Sequence, residues 1–153
     1  MRYEIPGQPA IELKTLILDL NGTLAVQGKI PAGVKPRLTK LRRLGYRIVL
    51  LTGNTRNNAH RLARDLKIDW LLARDGEEKR RAALELDPTT CVSIGNGRID
   101  LELMAAVKLR IVTLQREGVH VQTLINSDVV VPCIVDALDL LLDPATLVAT
   151  LRS

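Results

Sequence analysis

Short apolar runs alternate along the chain with amphipathic stretches of helical period. Each apolar run ends in glycine or polar residues, which is typical of strands that are covered on both faces. The predicted strands comprise residues 15–19, 46–51, 68–72, 90–94, 109–114 and 128–131, of which 68–72 has the weakest signal. They predict a parallel sheet whose strands are joined by helices.

The stretches between these runs predict helices. The first opens at Pro31 or Ala32 and ends at Gly45. It places Val34, Leu38 and Leu41 on one stripe, with Leu44 as a candidate fourth member. Further helices are predicted from about residue 55 to 66, over 76–86, through 103–105, and over 118–125, 134–142 and 144–151. Strict alternation of strand and helix predicts an α/β fold with a doubly wound, mostly parallel sheet.

Two short hairpins are predicted around the first strand of the sheet. Residues 2–5 and 10–13 flank a turn containing two prolines, and we expect this hairpin to extend an edge of the sheet. A second small hairpin is predicted over residues 24–30. No repeat or linker interrupts the pattern, so a single domain over residues 1–153 is expected.

Composition narrows the classes of function. The core is aliphatic, because the chain has no Phe, one Trp and two Tyr. That scarcity argues against an aromatic platform for single-stranded nucleic acid. The net charge of +5 comes from Lys and Arg residues interleaved with acids over several helices, which favours a solvated basic surface. Nucleic acid is therefore an unlikely partner, while anionic small molecules stay open.

The cysteines and the termini indicate a cytoplasmic, soluble protein. Cys91 and Cys133 form no CxxC pair and lie in apolar surroundings, which favours reduced thiols. The N-terminal residues lack an apolar leader, and no apolar run approaches the ~20 residues of a membrane span.

Three predicted strands end in polar turns, and the carboxyl ends of parallel strands lie along one edge of a sheet. Asp19 follows the first strand, Thr52 follows the second, and Asn96 and Asp100 follow the fourth. Asp19 offers a carboxylate nucleophile or a metal ligand, and Thr52 offers a hydroxyl donor. Asn96 and Asp100 form an oxygen pair of the kind that suits Mg²⁺. These turns predict a site for phosphate and metal.

The glycine turns have the features of a phosphate site. Gly22 and Thr23 supply tolerance of positive φ, exposed N–H groups and a hydroxyl. Thr52, Gly53 and Asn54 form a second such turn at the start of a helix, where N–H groups bind anions. Phosphoryl transfer also requires a cation near the developing charge, so a basic side chain is expected at the site.

Four segments, DLNGTL, LLTGN, GEEKRRAALEL and SIGNGRIDLELM, resemble in order and spacing the four motifs of the haloacid dehalogenase-like phosphotransferase superfamily. The resemblance covers nearly the whole chain. More narrowly, the chain resembles the capless group called soluble P-type ATPase-like hydrolases. The resemblance implies a three-layer Rossmann-like fold without a cap domain, a Mg²⁺ cofactor and an aspartyl-phosphate intermediate.

The resemblance also implies roles for single residues. Asp19 matches the nucleophile, Thr52 the phosphate-binding hydroxyl, and Lys79 the cation, with Arg80 and Arg81 as competitors in the same run. The further metal ligands that the resemblance implies are the backbone carbonyl of Asn21, Asn96 and Asp100.

Two amides stand where most phosphatases of the superfamily have acids. Asn21 replaces the acid/base Asp, and an amide cannot exchange a proton as a carboxyl group does, so slow turnover is expected. Asn96 removes one charge from the metal site. The function expected is a slow Mg²⁺-dependent phosphohydrolase or phosphotransferase acting on a phosphorylated small molecule or phosphoprotein. The alternative is a catalytically weak regulatory module that binds a phospho-ligand or Mg²⁺. A homo-oligomer is a further expectation, since no cap covers the site.

Overall fold

The computed structural model describes residues 1–53 and 58–153. The strands are β1 (Arg2–Tyr3), β2 (Ile11–Glu12), β3 (Thr15–Leu18), β4 (Arg47–Thr52), β5 (Asp69–Leu72), β6 (Cys91–Gly95), β7 (Leu109–Thr113) and β8 (Val129–Val131). The helices are α1 (Val34–Arg43), α2 (Asn58–Leu66), α3 (Gly76–Glu85), α4 (Leu101–Ala106), α5 (Val121–Ile125), α6 (Ile134–Leu142) and α7 (Pro144–Leu151). Short 3₁₀ turns precede β6 and α4.

Six strands form one sheet in the order β5-β4-β3-β6-β7-β8, and every pairing between them is parallel. The chain builds outward from β3 through β4 to β5, then crosses to β6 and builds outward to β8. The order therefore reverses between β3 and β6, and such a reversal opens a crevice at the carboxyl ends of the two strands. The predicted α/β doubly wound sheet is confirmed.

The sheet is covered on both faces. Leu16 and Leu18 of β3 point into one core with α1, α2, α6 and α7, while Ile17 points into a second core with α3 and α4. Side chains of a strand alternate between faces, so helices on both sides are what an uninterrupted apolar strand requires. The result is the three-layer arrangement that was predicted.

The N-terminal hairpin forms, but it does not extend an edge of the large sheet as expected. β1 and β2 pair as a separate antiparallel sheet, because the chain enters the large sheet at β3, which has β4 and β6 on its two sides. A bond of 2.7 Å between the hydroxyls of Tyr3 and Tyr46 ties the hairpin to the core. The second hairpin also forms, with Val26 bridged to Lys29.

Two details of α1 differ from the prediction. The helix begins at Val34, because Gly33 precedes it with a φ of 88°, a conformation that a right-handed helix excludes. Leu44 follows the helix and is 46% exposed, so it does not continue the buried stripe of Val34, Leu38 and Leu41. Among the residues described, no helix combines the length and apolar character needed to cross a membrane. Cys91 and Cys133 are free thiols, as predicted.

Candidate active site

Asp19 follows β3 at the reversal point of the sheet. Its backbone N–H donates to the carbonyl of Ile94 in β6 at 3.1 Å, which continues the pairing of the two central strands by one residue. The residue is 8% exposed, at the base of a cleft of about 380 Å³. The fold therefore delivers one carboxylate to the bottom of the crevice.

Lys79 joins Asp19 to Asp100. Its Nζ donates to Asp19 Oδ1 at 2.6 Å and to Asp100 Oδ1 at 2.7 Å, and the lysine is 1% exposed. By contrast, Arg80 and Arg81 lie on the outer face of α3 near Glu77. Of the three candidates for the cation, the structure thus places Lys79 in the site.

Asp100 is held by backbone donors. Its Oδ2 accepts hydrogen bonds from the N–H groups of Asn96 and Gly97, each at 3.0 Å. These bonds close the turn between β6 and α4. A Cβ at Gly95 would lie 2.6 Å from the same oxygen, so a glycine is required for this approach. One oxygen of Asp100 therefore organises the turn, and the other faces Lys79.

Burial and like charge perturb the two titrating groups that face each other. Burial and the neighbouring Asp100 together raise the pKa of Asp19 to about 6, against the opposing effect of Lys79. Burial alone would lower the pKa of Lys79, but Asp19 and Asp100 raise it above its ordinary value. The lysine is therefore a permanent cation, and Asp19 is a carboxylate that the fold disfavours in its charged form.

Gly22 allows the turn after Asp19 to pack against Asn96. Its φ is +78°, and a Cβ there would lie 2.3 Å from Nδ2 of Asn96. The amide of Asn96 also accepts from the Thr23 hydroxyl at 3.2 Å and donates to the carbonyl of Gly118 at 2.9 Å. Asn96 thus links the turns after β3 and β6, and it also lines the cleft.

Replacing Gly22 by Ala is expected to destabilise the protein by about 2–4 kcal/mol, because backbone strain and overpacking act together. The matched control is Gly28→Ala. Gly28 has a φ of +77° and nothing within 4 Å of its Cβ position, so only the strain of about 1 kcal/mol remains. Urea unfolding of both variants measures the difference. Equal losses would mean that contact with Asn96 is not what limits position 22.

Gln115 was not predicted, yet it supports the turn after Asp19. Its Nε2 donates to the carbonyls of Gly22 at 2.9 Å and Thr23 at 2.8 Å, and its Oε1 accepts from the N–H of Ile134 at 3.0 Å. The Thr113 hydroxyl donates to the Gly22 carbonyl as well, at 3.3 Å. The sequence signal that could have indicated both residues is their place at the carboxyl end of the predicted strand that became β7.

The prediction that Gly22 and Thr23 offer exposed N–H groups to phosphate is wrong, because these groups donate to the carbonyls of Ala25 at 2.8 Å and Leu20 at 3.3 Å. The remaining predicted residues line the cleft or lie outside the described part. Thr52 and Gly53 line it at the end of β4, and the exposed Asn21 lines it beside Asp19. Asn54, predicted to bind phosphate, lies outside the described residues. Arg74, which the prediction missed, lines the same cleft after β5. The sequence signal that could have indicated Arg74 is its place just after a predicted strand.

The oxygen atoms of the cleft suit a hard divalent cation. Asp19 and Asp100 supply two carboxylates that share the ammonium of Lys79, and Asn21 and Asn96 line the same cleft. Within residues 1–53 and 58–153, no group of three or more His, Cys, Asp or Glu side chains is placed to hold a metal. Two carboxylates fit an ion such as Mg²⁺, which takes few protein ligands and keeps several waters.

Comparisons with known proteins were made on sequence and on structure. No protein-family model matches the chain. An uncharacterised protein of Methanocaldococcus jannaschii is 44% identical over 61 residues, which span 40% of this chain and 66% of that relative.

Solved structures match far more of the chain. The cobalt-bound deoxy-D-mannose-octulosonate 8-phosphate phosphatase of Haemophilus influenzae is 18% identical, with a TM-score of 0.77, over 88% of this chain and 90% of that one. The 3-deoxy-D-manno-octulosonate 8-phosphate phosphatase of Moraxella catarrhalis, in complex with magnesium, phosphate and KDO, is 19% identical, with a TM-score of 0.71, over 90% and 92%. The chain therefore has the haloacid dehalogenase-like fold.

Proposed function

We propose that this protein is a phosphohydrolase or phosphotransferase that uses a divalent metal ion and forms an aspartyl phosphate on Asp19. The ion that we expect is Mg²⁺. The observation that carries the proposal is the buried contact of Lys79 with both Asp19 and Asp100 at the reversal point of the sheet. The narrower assignment, to the capless P-type ATPase-like hydrolases, rests on the sequence motifs alone.

The proposed chemistry begins with attack by a carboxylate oxygen of Asp19 on phosphorus. The bond from phosphorus to the leaving oxygen breaks, and that oxygen takes a proton from solvent. Water then attacks the aspartyl phosphate, which releases inorganic phosphate and restores the carboxylate. Lys79 neutralises charge on the reacting oxygens throughout, and N–H groups of the turn at Gly53 orient the phosphoryl group. The N–H groups of Gly22 and Thr23 take no part, because they donate to the carbonyls of Ala25 and Leu20.

The residues that would hold the metal are Asp19, Asp100, Asn96 and the carbonyl of Asn21. A divalent ion there supplies positive charge that offsets the phosphoryl oxygens. The Moraxella phosphatase was solved with magnesium and phosphate, and the Haemophilus phosphatase with cobalt, which supports a divalent ion in this fold.

Asn21 makes the second step slow. The residue is exposed beside Asp19 at the mouth of the cleft, where a group that relays protons to solvent belongs. Its amide orients water but neither donates nor removes a proton, and loss of a positioned acid or base costs about 10²–10⁴-fold in rate. The proposal therefore includes an aspartyl phosphate that accumulates.

The test is intact-mass analysis after incubation with Mg²⁺ and acetyl phosphate. We expect a phosphoryl adduct that survives acid and is removed by hydroxylamine. Asn21→Asp should shorten the lifetime of the adduct and raise turnover by about 10²–10⁴-fold, because it restores a carboxyl group. Asn21→Ala is the control and should not accelerate turnover. Absence of both adduct and phosphate release, in protein shown to bind Mg²⁺, would contradict the proposal.

A second candidate function is a regulatory module that binds a phospho-ligand and a metal without useful turnover. The observation that favours it is the engagement of the Asn96 amide by Thr23 and Gly118, together with the amide at position 21. Under this alternative, inorganic phosphate and Mg²⁺ bind while Asn21→Asp remains inactive.

A further inference from the structure

Arg74 occupies a fixed position at the rim of the cleft. It follows β5, and its backbone N–H donates to Oε2 of Glu78 at 2.7 Å. A Cβ at Gly53 would lie 3.0 Å from the Cα of Arg74, so the loops after β4 and β5 pack closely. The backbone is thus held, while the side chain is 62% exposed and its ion pair with Glu78 is long, at 3.6 Å.

Two basic side chains of the described residues line the cleft, and Lys79 is bonded to the carboxylates at its base. Lys79 is shared between the carboxylates of Asp19 and Asp100, so these three groups together carry one negative charge. Among the described residues that line the cleft, Arg74 is the other basic side chain. Within the described part of the cleft, Arg74 is therefore the cation that is not bonded to the buried carboxylates.

Arg74 also borders a second groove. The cleft with Asp19 and a neighbouring groove of about 360 Å³ share this residue, and the second groove is lined further by Leu71, Leu72, Glu78, Arg81, Ala82 and Glu85. Asp19 is buried, whereas Arg74 is largely exposed in the same cleft. A substrate that places its phosphoryl group at Asp19 and its leaving group toward solvent can therefore meet Arg74.

We propose that Arg74 selects phosphate esters whose leaving group carries a second anionic group. This inference rests on the proposed function. A guanidinium forms paired hydrogen bonds with a carboxylate or a phosphate, and such bonds are stronger than bonds between neutral groups. The substrate class is thus a phosphorylated acid or a bisphosphate, in preference to a neutral phosphorylated alcohol.

The test compares three phosphate esters at equal Mg²⁺. Glycerol 3-phosphate and 3-phosphoglycerate differ only in a hydroxymethyl against a carboxylate, and glycerol 1,3-bisphosphate carries a second phosphate instead. We expect kcat/KM to be at least about tenfold higher for one or both charged esters than for glycerol 3-phosphate. The ester with the larger value identifies which anionic group Arg74 recognises.

Arg74→Ala should lower kcat/KM for the preferred charged ester by at least about tenfold more than for glycerol 3-phosphate. Arg74→Lys should keep part of the preference, because an ammonium carries the charge but lacks the fork. Arg81→Ala is the matched control, since Arg81 lines the second groove and is 65% exposed. That variant should keep the preference.

Two results would overturn the inference. The preference could survive Arg74→Ala, or the substitution could lower kcat/KM for all three esters equally, which would place Arg74 on the transferred phosphoryl group. Calorimetric binding of the same esters is measured in parallel. If none of the three esters is hydrolysed while acetyl phosphate still forms the adduct, the proposed function stands, and binding decides the inference. Loss of selective binding in Arg74→Ala then supports the role of Arg74, whereas unchanged binding refutes it. If the adduct is absent as well, the proposed function fails, and the same comparison of binding still decides the role of Arg74.

Discussion

Replacing Asp19 by Asn is expected to abolish adduct formation and phosphate release, and to stabilise the metal-free protein at pH 8 by about 1–3 kcal/mol. The first effect follows because an amide oxygen is too weak a nucleophile for phosphorus. The second follows because the fold raises the pKa of Asp19 to about 6, so the charged carboxylate is disfavoured in the folded state. Asn keeps an oxygen that accepts from Lys79.

The stabilisation should depend on pH in a defined direction. A carboxyl group whose pKa is raised on folding binds more protons in the folded state between about pH 4 and 6, so wild-type stability falls as pH rises through that window. The advantage of Asp19→Asn should thus be full above pH 6 and small near pH 4. Thermal unfolding in EDTA measures it.

Asp65→Asn is the control for the change of charge. Asp65 is an exposed residue of α2, and its replacement should change stability by less than about 0.5 kcal/mol at either pH. Activity that survives in Asp19→Asn would point to another site, and a loss of stability at pH 8 would show that the ionised carboxylate is not disfavoured.

Replacing Lys79 by Met is expected to abolish adduct formation and to destabilise the metal-free protein by about 3–5 kcal/mol at neutral pH. Met retains most of the apolar stem, so the change removes mainly the cation. Asp19 and Asp100 then face each other without the ammonium that both contact. Urea unfolding at pH 7.5 gives the loss in free energy.

Arg80→Met is the matched control on the same helix. Arg80 is 45% exposed and its ion pair with Glu77 is 3.4 Å long, so the expected change is within about 0.5 kcal/mol. The double variant Lys79→Met with Asp19→Asn should recover part of the lost stability, since only one buried carboxylate remains. Equal losses for Lys79→Met and Arg80→Met would mean that the buried cation does not balance the two acids.

Much of the sheet was predictable because its central strands are buried on both faces. β3, β4 and β6 were indicated by uninterrupted apolar runs, and no bound differs from the prediction by more than one residue. β5 gave a weaker signal because it is an edge strand whose residues are only partly buried. Apolar patterns report burial, so they lose force at the edge of a sheet.

The sequence indicated most of the residues that line the cleft, but it did not indicate which of them contact one another. Choosing Lys79 over Arg80 and Arg81 required the rotation of α3 about its axis, because neighbouring helical residues point about 100° apart. Gln115 and Arg74 lack a periodic or compositional signal. Both act through loops that only the assembled sheet brings together, since Gln115 lies over 90 residues along the chain from the turn it contacts.

The hydrogen bonds of Gln115 determine which segments must be kept together if the site is designed into another protein. The carbonyls of Gly22 and Thr23 and the first N–H of α6 are satisfied by one side chain that belongs to none of the four motif segments. A designer who copied only those segments onto another parallel sheet would leave these backbone groups without their partner. A design that keeps these bonds must therefore copy the turn after Asp19 together with the segment after β7 and the start of α6.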